Sequence, residues 1–197
     1  MNSLPLRFPA ILAGVLICLM SPASPAAELR ALEVDRDTEI NQYSLRSVTW
    51  FNASPEAMYK VLTDYDLFYK FTSAIVESRN TEQDEAGRPG YYTRMEGCVL
   101  MWCRSFIRIG HLTLDPSTRI VANADPELSN FKKSRESWSL TKEGDGTLLV
   151  YEFEMVPDFW VPPVIGPFYI KRALQSGGEK AADRIEALAQ ANETADD

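Results

Sequence analysis

From Thr147 to Met155 the chain alternates with a period of two: Leu149, Tyr151, Phe153 and Met155 fall on one side, Glu152 and Glu154 on the other. Side chains at that spacing project from opposite faces of a β-strand. The segment therefore builds a sheet with one buried and one wet face, the pattern of an antiparallel sheet with a single covered side. The chain must also supply the cover. Ile170, Leu174, Ala181, Ile185 and Leu188 recur at three-, four- and seven-residue steps within residues 168–191, the apolar stripe of an amphipathic helix. At 1.5 Å per residue that helix is about 35 Å long, enough to lie across a sheet.

The other strands are bounded by turn chemistry. Phe131–Thr141 and Thr147–Met155 flank Glu143-Gly144-Asp145-Gly146, a hairpin signal. Tyr91–Cys98 and Cys103–Leu114 read as a hairpin about residues 99–102, Asp115-Pro116 turns the chain into Arg119–Ala124, and Ile75–Asn80 precedes a polar turn from Glu82 to Gly90. Upstream, Gln42–Phe51 is rich in β-formers and stops at Asn52-Ala53-Ser54-Pro55, where Ser54 caps a helix over Pro55–Thr63 with proline in first position. Leu67–Phe71 is expected as a second short helix. In the long helix, Gly177-Gly178 costs about 2 kcal/mol relative to two alanines. Either a bend around the sheet or the close approach of another group, a ligand included, must compensate.

Charge narrows the partners. The net charge of −8 repels phosphate backbones and argues against nucleic acid. His111 is the only histidine, so mechanisms needing two imidazoles in one chain are excluded; it shares a strand face with Ile107 and Ile109 and reads as structural. Arg94, Glu96, Arg104 and Arg108 read as cross-strand charge pairs on the wet face, and Asp64 and Asp66 as backbone caps. Nothing resembles a phosphate loop, a nucleophile elbow or a metal cluster. No catalytic residue, metal or cofactor is assigned.

The N-terminus reads as an export signal. Arg7 precedes an apolar run, Ala10 to Met20, too short to span a bilayer, followed by small residues with Ser24 and Ala26 placed for cleavage after Ala26 or Ala27. The alternative is an uncleaved anchor. Removal of the signal leaves Cys98 and Cys103. In an oxidising compartment such a pair is expected as a disulfide, which demands a turn between the two because a single strand would hold the sulfurs on opposite faces. A zinc site would lack its other ligands.

A helix pair after the first strand, an antiparallel sheet and a long C-terminal helix follow the order of the helix-grip fold. Asn52-Ala53-Ser54-Pro55-Glu56, Val61-Leu62-Thr63-Asp64-Tyr65-Asp66, Phe71 and Ile75-Val76-Glu77-Ser78 resemble the opening of the polyketide cyclase/dehydrase and coenzyme Q-binding START families of the START-like (SRPBCC) superfamily. Trp138, then Gly146-Thr147-Leu148-Leu149-Val150-Tyr151 and Val161-Pro162-Pro163, resemble the second half. The resemblance covers roughly residues 40–190. It implies an α+β, START-like helix-grip fold, a curved antiparallel sheet wrapped around a long C-terminal helix. The expected organisation is a signal peptide over 1–27, an N-terminal lead-in over 28–39, a START-like domain over 40–191 and a disordered tail over 192–197.

The resemblance further implies an apolar cavity between sheet and helix that holds a lipid, an isoprenoid or quinone-like molecule, or a polyketide intermediate. Tyr92, Trp138, Tyr151 and Phe153 are candidate lining residues, and Gly178 would leave room for the ligand from the helix side. Pro157 to Pro167 holds four prolines yet is mostly apolar; Phe159 and Trp160 in it suggest either a gate that touches ligand or membrane, or a plug on the core. Val99 to Trp102 forms a second apolar tip. The expected function is an exported monomer, periplasmic or secreted, that binds a hydrophobic small molecule or lipid, with transient membrane contact. The alternatives are a cyclase/dehydratase-type enzyme and an envelope adaptor that docks a protein through its apolar loop.

Overall fold

The computed structural model describes residues 27–99, 102–163 and 165–196. Eight strands form one antiparallel sheet: β1 (Glu28–Asp37), β2 (Gln42–Phe51), β3 (Ile75–Thr81), β4 (Gly90–Val99), β5 (Trp102–Asp115), β6 (Arg119–Ala124), β7 (Phe131–Glu143) and β8 (Gly146–Pro157). Their spatial order is β1-β2-β8-β7-β6-β5-β4-β3. Between β2 and β3 come helix α1 (Pro55–Thr63) and a short 3-10 helix (Tyr65–Lys70); helix α2 (Gly166–Asp196) closes the chain. The α+β helix-grip architecture expected above is the one observed, with α2 packed over β1 and β2 and against α1.

Local chemistry sets the boundaries. The Ser54 hydroxyl accepts the Ala57 N–H at 3.2 Å, with Pro55 next in line. Asp64 Oδ1 accepts the Asp66 N–H and Asn80 Nδ2, each at 3.0 Å, and Asp66 Oδ1 accepts the Asn80 N–H at 3.0 Å. These carboxylates tie the 3-10 helix to β3 and are the caps the sequence suggested. Cys98 and Cys103 are registered cross-strand partners joined by a disulfide, with Val99 registered on Trp102 beyond them. Leu100 and Met101 of the apolar tip lie outside the described residues, as do residues 1–26 of the expected signal peptide over 1–27.

The lead-in over 28–39 contains an edge strand, β1, registered on β2 from Glu28↔Trp50 to Asp37↔Gln42. At the other end, helix α2 runs on to Asp196. Polar contacts hold that last stretch: Glu186 Oε1 and Glu193 Oε1 accept the N–H groups of Asn52 and Ser54, each at 2.7 Å, and Gln190 Nε2 donates to the Asn52 carbonyl at 2.9 Å. Three side chains one helical turn apart thus grip the loop that precedes α1.

Packing divides unevenly along α2. Its C-terminal half buries Ala182, Ile185 and Ala189 against α1 and the aromatic cluster Tyr65, Phe68, Phe71 and Trp138. Its N-terminal half lays Ile170 and Leu174 beside a smaller cluster of Val34, Tyr43, Phe131 and Phe153, where Phe159 also packs. Between the halves lie Gly177 and Gly178, and the helix runs through them unbroken.

Candidate functional site

Under the two glycines, between α2 and the inner face of the sheet, is a cavity of about 220 Å³. Its walls are largely apolar. Strand β8 contributes Leu149, Tyr151 and Phe153, as the two-residue alternation requires, and β7 contributes Trp138; Phe68 and Phe71 close one side and Leu174 and Ala181 the other. The roof is low in side-chain volume. A Cβ on Gly177 would meet only the Thr72 hydroxyl at 4.0 Å, and one on Gly178 would sit 3.5 Å from Leu32 and 3.9 Å from Leu45.

Of the seven residues expected to bind ligand, the structure brings four together on this cavity: Trp138, Tyr151, Phe153 and Gly178. The other three stand elsewhere. Tyr91 is fully buried on the inner face, so its neighbour Tyr92 points outward, where the Arg79 guanidinium lies 3.8 Å from its ring centroid. The Phe159 ring centroid lies 4.2 Å from that of Phe106 and 5.8 Å from that of Phe131, away from the cavity lining. Trp160 is 73% exposed and touches neither cavity nor core. His111 does not line the cavity either.

The floor holds what the sequence reading missed. Arg108 Nη1 donates to Glu136 Oε1 at 2.6 Å, with both side chains more than nine-tenths buried and both on the cavity wall. Arg108 was expected on the wet face with Arg94, Glu96 and Arg104. The hairpin register separates Arg94 and Glu96 from Arg108: Arg94 faces Ile107, Glu96 faces Ser105, and Arg108 faces the buried Thr93. Arg94 does lie outside, bonded to Glu77 at 3.1 Å and Glu96 at 2.9 Å. Glu136 could have been found from its spacing, since it lies two residues before the inward Trp138.

Electrostatics at the floor favour a fixed, charged guanidinium. Burial works against the Arg108 charge, but Glu136, Tyr91 and Tyr65 outweigh it and raise its pKa. Its central carbon lies 5.4 Å from the Phe153 ring centroid and 5.8 Å from that of Tyr91. Arg108 Nε and Nη2, Glu136 Oε2 and the hydroxyls of Tyr65, Tyr91 and Thr93 make no hydrogen bond of good geometry among the described residues, while the Tyr91 phenol lies in reach of Arg108 and the Tyr151 phenol in reach of Glu136. By contrast, a depression of about 240 Å³ on the outer face lies among Glu33, Asp35, Arg46, Arg135, Glu152 and Glu154. Arg46 meets Glu152 there at 3.8 Å and both are about half exposed, which marks a solvated surface.

Burial, and then the Glu136 charge, hold the Tyr65 and Tyr151 phenols well above the ordinary tyrosine pKa, and burial raises Tyr91. A phenol raised in the folded state contributes stability that is fully present below the unfolded value of about 10 and is lost as pH climbs through the folded value. Stability is therefore expected to fall above about pH 10. Phenolate absorbance should show these three of the eight tyrosines ionising only as the chain unfolds. Ionisation of all eight with the fold intact would contradict the buried floor.

The comparisons with known proteins agree with this geometry. A family model described as polyketide cyclase/dehydrase and lipid transport matches residues 44–190. No curated protein sequence matches the chain. Among solved structures, human STARD10 superposes with a TM-score of 0.59 at 14% identity, over 83% of this chain and 74% of that one. The STAR-related lipid transfer protein from Xanthomonas axonopodis gives 0.57 at 14%, over 78% and 98%. The di-domain ARO/CYC StfQ from the steffimycin biosynthetic pathway gives 0.54 at 12%, over 78% of this chain and 52% of that one. At these identities the likeness is one of fold.

Proposed function

Because the chain belongs to the polyketide cyclase/dehydrase and lipid transport family, within the START-like superfamily, we propose that it carries or shelters a hydrophobic small molecule, a lipid or an isoprenoid or quinone-like compound, in the cavity beneath α2. The observation that carries this reading is the cavity itself: aromatic and aliphatic walls under a helix that spends two adjacent glycines on its roof. Apolar contact supplies affinity at about 25 cal/mol per Å² removed from water. Among similar folds, the Xanthomonas protein is named for lipid transfer.

We place this activity outside the cytoplasm. Arg7, the apolar run Ala10 to Met20 and the small residues at Ser24 and Ala26 support export with cleavage after Ala26 or Ala27, and a disulfide between Cys98 and Cys103 suits an oxidising compartment. Trp160 at 73% exposed and Phe168 at 63% support a transient contact with a membrane surface during exchange. The second reading, a cyclase/dehydratase-type enzyme, is favoured by one observation: a buried ion pair and the Tyr151 phenol reach a largely apolar cavity.

Native mass spectrometry of the protein purified from an exporting host tests the reading. The expected spectrum contains the cleaved chain plus one apolar molecule, released intact on denaturation. A bare chain that also takes up no apolar probe would overturn it, and a released molecule chemically altered by the protein would favour the enzyme.

A further inference from the structure

Helix α2 has two edges beside the cavity, and they are built differently. Residues four apart share a helix face, so Ile170, Leu174 and Gly178 form one edge. Ile170 and Leu174 pack in the cluster that holds Leu32 and Val34 of β1 and Leu45 of β2. A Cβ on Gly178 would sit 3.5 Å from Leu32. Ala173, Gly177 and Ala181 form the other edge, and all three line the cavity. Nothing larger than a methyl group projects from it. The bank it faces is the turn that leads into β3: a Gly177 Cβ would meet only the Thr72 hydroxyl, and Thr72 and Ala74 line the cavity too. Ala74 and Ala173 are exposed, one on each side of this slot. The Ala74 carbonyl accepts the Glu96 N–H at 2.8 Å, which fixes that bank to β4. Arg184 Nη1 donates to the Phe71 carbonyl at 3.4 Å and bridges the two banks at one end of the slot.

We infer that ligand enters and leaves through the slot along Ala173 and Gly177, and that strand β1 shuts the opposite flank, with Leu32 as the positioning residue. This rests on the reading of the cavity as a ligand site. The space behind the slot is not a filled core, since buried polar atoms of Arg108 there make no hydrogen bond of good geometry among the described residues. Strand β1 lies outside residues 44–190, the part matched by the family model. Without it the sheet would end at β2, and Leu45, which lines the cavity, would stand on an open rim beside Leu174. Leu32 and Val34 fill that gap. Leu32 is not itself part of the lining, so it acts on the ligand only through its hold on α2. The strap is lightly fastened: Val34 alone of its ten residues is buried, and outside its ladder on β2 Arg30 Nη1 meets Glu143 Oε1 at 2.7 Å on the surface. The slot suits a slender molecule. From Ala173 to Ala181 it runs about 12 Å along the helix, room for an alkyl or prenyl chain to pass side-on between small residues.

Stopped-flow exchange of a dansyl-labelled undecanoate against excess unlabelled undecanoate tests both halves, in the parent, Ala173→Phe and Leu32→Ala. The phenyl ring of Ala173→Phe, at an exposed helical position, hangs over the slot. Association and dissociation are both expected to slow by at least about tenfold while affinity changes by less than about threefold, because the route is obstructed and the bound state is not. Leu32→Ala is expected to speed dissociation by at least about tenfold, because the strap then opens more often. Should Leu32→Ala not fold, Arg30→Ala loosens the same strap from the surface and is expected to speed dissociation by about threefold. Exchange at the parent rate in Ala173→Phe would overturn the slot as the entrance. Parent-rate dissociation in a folded Leu32→Ala, or failing that in Arg30→Ala, would overturn the role of β1. Either failure leaves the cavity a ligand site, since the parent binds the probe. A parent that takes up no probe would remove the cavity reading and this inference together.

Discussion

Arg108→Met alone and Glu136→Leu alone are each expected to destabilise the fold by about 3–5 kcal/mol, because each leaves an uncompensated charge in the interior. The pair sits on adjacent walls of one cavity, 3% and 8% exposed at its side chains, and is not within reach of bulk water. Removing both charges together is a different experiment. Replacement of a buried ion pair by apolar side chains of similar volume is often neutral or stabilising, so the double variant is expected to lie within about 1 kcal/mol of the parent or above it. For a domain of this size each kcal/mol moves the melting temperature by about 2–4 °C. Thermal and urea unfolding of the four proteins therefore gives a clear pattern: two single variants melting roughly 10 °C low and a double variant restored. Single variants that melt with the parent would mean that water reaches the pair.

The same contrast explains what could be read in the sequence. Strand β8 was legible because its alternation is complete, with Leu149, Tyr151, Phe153 and Met155 inward and Glu152 and Glu154 outward. The hairpins, the Ser54 cap and α2 were legible from turn residues and from a helical stripe. Strand β1 was not, because only Val34 of its ten residues is buried and charged residues dominate the rest. An edge strand is held by backbone bonds to its neighbour, which carry no side-chain signature.

The site was half legible for the same kind of reason. Trp138, Tyr151 and Phe153 share the inward parity of their strands, whereas Tyr91 and Tyr92 are adjacent aromatics and only register decides which one faces in. Phe159 and Trp160 lie where no period exists, so nothing in the chain distinguishes plug from exposed surface. Arg108 and Glu136 were hidden by residue type: charged side chains are read as wet unless parity is followed through them. Once Cys98 is registered on Cys103, Arg108 falls opposite Thr93 on the covered face.

If the cavity holds a ligand as proposed, the space beneath Gly177 and Gly178 is kept open for it. Leucine at either position adds a side chain to that space. Helix propensity contributes about 1 kcal/mol in favour of the change, and burial of the new side chain in a void adds about 1.5–3 kcal/mol. Gly177 has only Thr72 within reach of its Cβ position, and Gly178 meets Leu32 and Leu45 at ordinary contact distance, so the first methylene fits in both cases. The measurement is binding of a fluorescent fatty-acid probe together with thermal unfolding, for the parent, Gly177→Leu and Gly178→Leu. The expected result is at least a tenfold loss of probe affinity in both variants, with melting temperatures unchanged or raised by about 5 °C. Lower melting temperatures with probe affinity undiminished would contradict it, since that is how a solid core behaves when overpacked.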